Sequence, residues 1–368
     1  MPGSVIGVLR RFLPAFLKGC PPLHPAQRRA IWAITHCRTP ALGGHRYACG
    51  DCGQHAFAYH SCNHRACPQC GKAATASWVT RELGKRINAP YFMVTFTLPG
   101  ELREIFFGAH AKDAFDLFFA ATSRALSGRL ASPKSIGAQT CGFTGVLHTW
   151  TQRLGFHPHI HYLVPGAGLD EAGRFVQVKN DNFLAPLSPL RRAFRCHFRQ
   201  QLEARDWQVD PAIWTKDWGV HIAPFGSGQN AIKYLGAYVK RTAIADSRII
   251  SGGDDEPGVT FTWKDRAHAD RIRRDTLSGD EFVRRYLRHV LPRGLRSIRY
   301  FGFCHPAAKR NRERIAFLSG RLLKVGDFAA DAAPAEPLGI PRCPCCQRPM
   351  KRVQSFRPLY ARGPPLSA

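Results

Sequence analysis

Three histidines alternate in His157-Pro158-His159-Ile160-His161, and the apolar run Tyr162-Leu163-Val164 follows. Alternate side chains of a strand share a face. The imidazoles would therefore project together, with Ile160 packing behind them. Histidine is the commonest metal ligand. A histidine pair that grips an ion from one side leaves positions open for chemistry. Further along, Tyr234 and Tyr238 stand four residues apart in the stretch 229–241, which reads as a helix. That spacing sets both phenols on one face, a turn apart. A phenol has a pKa of about 10 and is a poor nucleophile at neutral pH. A metal-polarised phosphate would help it ionise and attack, as would the flanking cations Lys233, Lys240 and Arg241.

Residues 37–72 are dense in cysteine and histidine. Cys49-Gly50-Asp51-Cys52 and Cys67-Pro68-Gln69-Cys70 are two CxxC knuckles. Each such turn offers two thiolates to one ion, and two turns close a tetrahedron. The spacing predicts a structural Zn²⁺ on Cys49, Cys52, Cys67 and Cys70. Cys37, His45, Cys62 and His64 remain as ligands for a possible second Zn²⁺. A four-cysteine shell leaves no position open for catalysis. Cys343-Pro344-Cys345-Cys346 forms a third knuckle, for which Cys304 and His305 are available partners.

The elements that must position these groups follow from periodicity. Val5, Val8, Leu9, Phe12 and Phe16, then Ile31 and Ile34, recur at helical spacing in residues 1–36. Residues 91–98 are aromatic and β-branched between Pro90 and Pro99, a buried strand. Residues 101–130 read as one aromatic-rich amphipathic helix. Gly142 to Gln152 alternates as a strand and pairs with the histidine strand. With 153–158 as the loop, Gln152 falls opposite His159 and Trp150 opposite His161. Gln152 is then the expected third ligand beside His159 and His161, with His148 and His157 as alternatives. Residues 186–206 form a basic helix opened by Ser188-Pro189. Residues 212–223 read as a strand, and Phe261-Thr262-Trp263 as a short one. Residues 328–341, rich in Ala and Pro, are a linker. This gives three parts: 1–90, a helical arm plus zinc module; 91–327, the domain bearing histidines and tyrosines; 328–368, linker and cysteine-containing tail.

The chain has 368 residues, 53 Lys plus Arg and 26 Asp plus Glu, a net charge of +27. Charge selects partners, and a polyanion comes first, nucleic acid above an anionic membrane. Arginines 28, 29, 38, 46 and 65 surround the cysteines, and arginine is dense again from Lys264 to Arg314. These suit phosphate contact. No stretch approaches the ~20 apolar residues of a spanning helix. The apolar run after Arg10-Arg11 is too short and Pro-broken for a signal peptide. A cytoplasmic, nucleoid-associated location is expected, where thirteen cysteines imply metal, not disulfides.

His159-Ile160-His161 resembles the His-hydrophobe-His signature of the HUH endonucleases, and Tyr234 and Tyr238 the tyrosine pair of their two-tyrosine branch. The surroundings are similar too: His148-Thr149-Trp150, Tyr234-Leu235-Gly236-Ala237-Tyr238, Glu281-Phe282-Val283-Arg284-Arg285 and His289-Val290-Leu291-Pro292. With the cysteine module, residues 28–320 resemble a bacterial transposase of the insertion-sequence ninety-one type. One departure is Ala66, where the pattern has a histidine directly before the second knuckle. His60 stands at a position where the pattern has Asn. The resemblance implies an α+β fold, a mainly antiparallel sheet flanked by helices, preceded by a small zinc module. It implies Mg²⁺ or Mn²⁺ at the histidines and tyrosine attack on single-stranded DNA at element ends, giving a 5′-phosphotyrosine and a free 3′-hydroxyl. The first competing reading is a plasmid rolling-circle replication initiator or relaxase with the same chemistry. The second is a non-catalytic zinc-dependent nucleic-acid-binding protein whose tyrosines are core.

Overall fold

The computed structural model describes residues 3–70, 72–239, 242–253, 256–265, 268–320 and 341–359, with backbone alone at 72–74 and 237–239. Helix α1 (Val5–Gly19) is capped by the Ser4 hydroxyl, which accepts from the Gly7 amide. Its buried stripe is Val5, Ile6, Val8, Leu9, Leu13 and Phe16. Helix α2 (Pro25–His36) starts with Pro at its first turn, where a missing N–H costs nothing. Two short strands, β1 (Gly44–Ala48) and β2 (His55–Tyr59), form an antiparallel hairpin around the first knuckle. Helix α3 (Lys72–Gly84) leaves the second knuckle and leads to β3 (Tyr91–Thr97).

The expected single helix over 101–130 is corrected. A 3₁₀ segment, Gly100–Phe106, precedes α4 (Ala111–Leu130), and the break falls at Gly108, whose φ of +74° suits glycine. Next come β4 (Gly142–Trp150), β5 (Phe156–Pro165), the small pair β6 (Ala167–Leu169) and β7 (Phe175–Gln177), and α5 (Leu187–Glu203). The strand expected over 212–223 is also shorter. Asp210 caps a 3₁₀ turn at Pro211–Thr215, and β8 runs only over Gly219–Pro224. Helix α6 (Gln229–Val239) carries the tyrosines. Then follow β9 (Ile249–Ser251), β10 (Gly258–Asp265), β11 (Arg271–Ser278), α7 (Gly279–Arg288), β12 (Ile298–Gly302), α8 (Lys309–Leu318) and β13 (Lys351–Phe356).

The central sheet has the order β12-β4-β5-β3-β8, and every neighbouring pair is antiparallel. This is the expected α+β class. The period of two sorts its side chains. Phe92, Val94 and Phe96 of β3, Ile160, Tyr162 and Val164 of β5, and Val220 of β8 join Phe115, Phe118, Phe194 and Phe198 of α4 and α5 in the main core. The opposite face carries Tyr91 and Met93, Val146 and Leu163, and packs against Trp78 of α3 and Ile232 and Leu235 of α6. Thr95, Thr97, His157, His159, His161 and His221 alternate onto that second face.

Two contacts cross the expected boundaries at 90 and 328. Helix α1 packs on α7 and shares a core with Phe261 and Phe282, so α1 and α2 are a core helix pair. Strand β13 pairs with β1, from Gly44 opposite Phe356 to Ala48 opposite Lys351. The tail therefore completes the sheet β13-β1-β2 of the cysteine module. The expected linker lies, but for residue 341, outside the described residues. No helix among the described residues is long and apolar enough to cross a membrane.

Candidate active site and metal centres

The β4–β5 hairpin fixes the histidines. Its loop is 151–155, shorter and earlier than the expected 153–158. The Thr151 amide donates to the Gly155 carbonyl (2.9 Å), the Gly155 amide to Thr151 Oγ1 (3.0 Å), and buried Leu154 takes φ +61°. An irregularity follows between His148 and Trp150. The expected register is therefore corrected: His148, not Gln152, lies opposite His159, and Val146, not Trp150, opposite His161. Ligand nitrogens of His148, His159 and His161 all lie within 4.8 Å of one another. Gln152 sits beyond the end of β4. It lines the same cavity, and its backbone carbonyl accepts from the Arg248 guanidinium.

Neighbouring strands orient two of the rings. Thr95 stands beside His161 across β3 and β5, and its Oγ1 bonds His161 Nδ1 at 2.8 Å. His159 Nδ1 bonds the His157 carbonyl at 2.8 Å. A bond at Nδ1 turns Nε2 outward as the ligand atom, the usual arrangement in metal sites. Burial, with smaller contributions from His161 and His159, holds His148 well below its ordinary pKa. It is thus neutral, the form a ligand needs. Three convergent imidazoles, two of them oriented at Nδ1, fit a divalent cation with open positions. His157 stands apart from this cluster. Arg103 Nη2 lies 3.2 Å from its Nδ1, and burial, then Arg103, lowers its pKa.

Tyr234 reaches the same place from α6. Its helix packs through Ala231, Ile232 and Leu235, and the half-buried Tyr234 ring lies 6.3 Å from that of Phe225. It lines one cavity of about 660 Å³ with the three clustered histidines, Thr95, His221 and Arg248. Lys233 is exposed at the preceding position of the helix. The Tyr238 side chain, Lys240 and Arg241 lie outside the described residues. Arg248 was not singled out by sequence. Its guanidinium donates to the Thr262 carbonyl (2.7 Å) and stands over Phe261, which brings a fixed positive charge to the cavity wall. Nothing in its sequence surroundings marks it among the many arginines.

The cysteines partition differently from the expectation. The two knuckles do not come together. Cys67 and Cys70 meet Cys37 and Cys62, while Cys49 and Cys52 meet Cys343 and Cys346. The reason is topological: Cys49 and Cys52 sit at the hairpin tip, away from the end of α2 that brings Cys37 to the second knuckle. In the first cluster Cys37 and Cys62 lie 3.5 and 3.6 Å from Cys70. Hydrogen bonds from Cys62 above all, against burial, pull the Cys67 thiol down to about 5, and burial first of all raises Cys37 to about 11. His45 and His64 are in neither cluster. His45 Nδ1 meets Ser355 Oγ at 2.9 Å, and His64 Nδ1 accepts from the Ala66 amide at 3.2 Å. With Ala66 directly before the second knuckle, four sulfurs are still gathered. Cys304 and His305 are not with the third knuckle either. Cys304 packs in the second-face core, and His305 caps a 3₁₀ turn.

Two family models match the chain. One, described as "Transposase zinc-binding domain", matches residues 8–98; the other, described as "Putative transposase", matches 142–312. The chain is 37% identical over 323 residues to "Putative transposase y4qJ" of Sinorhizobium fredii, covering 82% of this chain and 80% of that one. It is 30% identical over 300 residues to "Transposase for insertion sequence element IS801" of Pseudomonas savastanoi pv. phaseolicola, covering 76% and 71%. No solved structure matches.

Proposed function

The chain belongs to the transposases of the insertion-sequence ninety-one type, rolling-circle elements, and we propose that it nicks and rejoins single-stranded DNA at the element ends through Tyr234 and Tyr238. Membership makes it a DNA-processing enzyme with structural Zn²⁺. The single observation that carries the finer reading is that Tyr234 lines one cavity with His148, His159 and His161. The non-catalytic alternative would leave that phenol as core packing, remote from the histidines.

Mg²⁺ or Mn²⁺ held by His148, His159 and His161 would supply Lewis-acid polarisation of the scissile phosphate. The Tyr234 oxygen attacks phosphorus as its proton leaves. The bond to the 3′ oxygen breaks, that oxygen takes up a proton, and a 5′-phosphotyrosine forms. One phosphodiester replaces another, so rejoining needs no external energy source. Tyr238, one turn along α6, takes a second strand without release of the first. Thr95 and the His157 carbonyl keep the His161 and His159 rings in place, and Arg248 and Lys233 meet the DNA backbone.

The test is a suicide assay with Mn²⁺ and oligonucleotides carrying the element ends. A protein–DNA adduct that resists denaturant is expected. H148A should lose it by at least the tenfold typical of a lost metal interaction, and Q152A should keep it. An adduct undiminished in Y234F/Y238F would refute the nucleophiles, and one lost in Q152A but kept in H148A would refute the ligand set.

A further inference from the structure

The tail knuckle lies outside both matched ranges, yet the fold carries it back to the first knuckle. Cys49 and Cys343 are buried at the centre of a small cluster with Met350, Tyr47 and Ala56. Sulfur contacts across the two knuckles are 3.4 Å (Cys49–Cys346), 3.5 Å (Cys52–Cys343) and 3.8 Å (Cys52–Cys346). Four thiolates about 2.3 Å from one zinc stand about 3.8 Å apart on the edges of a tetrahedron. The contacts observed are of that size.

The two knuckles are also the same object built twice. The Cys49 amide donates to the carbonyl five residues on, at Gln54 (2.9 Å), and the Gly53 amide returns to the Cys49 carbonyl (3.2 Å). In the tail, the Cys343 amide donates to the carbonyl five residues on, at Arg348 (2.8 Å), and the Gln347 amide returns to the Cys343 carbonyl (2.9 Å). The fifth residue of each turn has positive φ, +69° at Gly53 and +59° at Gln347. A non-glycine residue held there accepts strain, and such strain persists where surrounding interactions fix it. Around it the module has the β1–β13 ladder and the ring contacts of Phe356 with Phe57 and Tyr59, but little buried apolar volume. Its core is three buried side chains and two partial ones. Small units of this kind are ordinarily held by a metal or by disulfides.

We propose that Cys49, Cys52, Cys343 and Cys346 hold one zinc ion that latches the C-terminal segment onto the N-terminal hairpin and so completes the sheet β13-β1-β2. The site is separate from the Cys37, Cys62, Cys67 and Cys70 cluster and does not depend on the nuclease reading. With it, the two ends of the chain form one module, although some 290 residues separate the knuckles. Strand β13 and the Leu359 amide, which donates to the Ala41 carbonyl at 3.1 Å, dock because the metal holds the turn before them.

Zinc per chain is measured by atomic emission on the reduced full-length protein. Two ions are expected in the natural chain and in C345S, whose cysteine is exposed and outside the cluster. C343S/C346S should hold one. Reconstituted with Co²⁺, it should show about half the sulfur-to-cobalt charge-transfer absorption of the natural protein. A single zinc in the natural chain, two in C343S/C346S, or a loss in C345S would overturn the assignment, as would a disulfide in place of metal. The latch has its own readout. With a protease site inserted between residues 328 and 340, the cut protein should keep its tail fragment under native conditions. Cut C343S/C346S, still carrying one zinc, should release it. Release from the natural cysteines, or retention by the double variant, would overturn the latch.

Discussion

His289 shows how much a single side chain outside the reacting groups can matter. Its Nδ1 meets Thr149 Oγ1 and its Nε2 the Leu154 carbonyl, both at 3.2 Å, and its ring stacks on Phe156. It thus fastens the turn that sets the β4–β5 register. Burial above all lowers its pKa from 6.5 to about 4. Below pH 6.5 the unfolded chain takes a proton that the folded chain refuses until about pH 4. The folded state therefore loses stability as pH falls through this window, by at most about 3 kcal/mol. The carboxylates Asp116 and Glu281, also held below their ordinary range, add their losses at lower pH. Urea midpoints measured from pH 7 to pH 5 should fall less steeply for H289Q than for the natural chain. Equal slopes would place the pH dependence elsewhere. At this scale the sequence was partly legible. Alternation put His159 and His161 on one face, and the structure agrees. It could not choose between His148 and Gln152, because that choice depends on a five-residue turn held by Thr151 and His289, a contact 140 residues long. The cysteine spacing likewise marked the two knuckles, and the structure gathers each with other cysteines than the spacing paired it with. CxxC declares two ligands, whereas the topology decides which two turns meet.

Elements explain how the tyrosine reaches the histidines. Helix α3, which follows the second knuckle directly, lies across α6 and meets it at Gly236, between Tyr234 and Tyr238. A Cβ built on Gly236 would overlap the Val79 side chain, with Trp78 3.7 Å away. Intrinsic helix propensity favours alanine over glycine by about 1 kcal/mol. If propensity governed, G236A would stabilise. The close crossing governs instead, and overpacking of this kind costs about 1–3 kcal/mol. G236A should therefore lower the melting temperature and reduce adduct formation. Removing the obstructing methyls with V79A in the same chain should recover most of both. The coupling in a double-mutant cycle should exceed about 0.5 kcal/mol, the limit for independent sites. A stabilising G236A, or additive effects, would sink this account of the contact. The sequence foresaw a helix at α6. It said nothing of α3 as a buttress, since a glycine that permits a crossing looks like any other glycine until the partner is known. The break at Gly108 and the shortened strand β8 escaped for a similar local reason. Both depend on a backbone turn, and the hydrophobic pattern runs through it without a change of sign.

Across the whole molecule, the +27 charge is less available than its size implies. Many arginines are spent on the fold. Arg65 donates to the Leu295 and Pro292 carbonyls, Arg195 to the Trp214 carbonyl, and Arg285 to Glu281. Others face water on an element with room to meet a strand of DNA. Strand β11 exposes Arg271 and Arg274 on the outer edge of the sheet β11-β10-β9, and Arg248 of the cavity wall bonds into the neighbouring strand β10. Each phosphate neutralised on single-stranded DNA contributes about 0.7 to the slope of log affinity against log salt. R271A/R274A should flatten that slope by about 1.4, weaken binding most at 50 mM salt, and leave the melting temperature nearly unchanged. R199A serves as the contrast. Arg199 pairs with Glu203 at 2.7 Å on α5 and stands over Trp214, on the face of the sheet away from the histidines. Its loss should leave the slope where it was. Fluorescence anisotropy with one oligonucleotide at several salt concentrations separates the two cases. If both variants flattened the slope equally, DNA would be held by the diffuse field of the whole chain. If only R271A/R274A does, the β10–β11 hairpin is a path along which the strand runs toward the histidine cavity, and net charge serves mainly to speed the encounter.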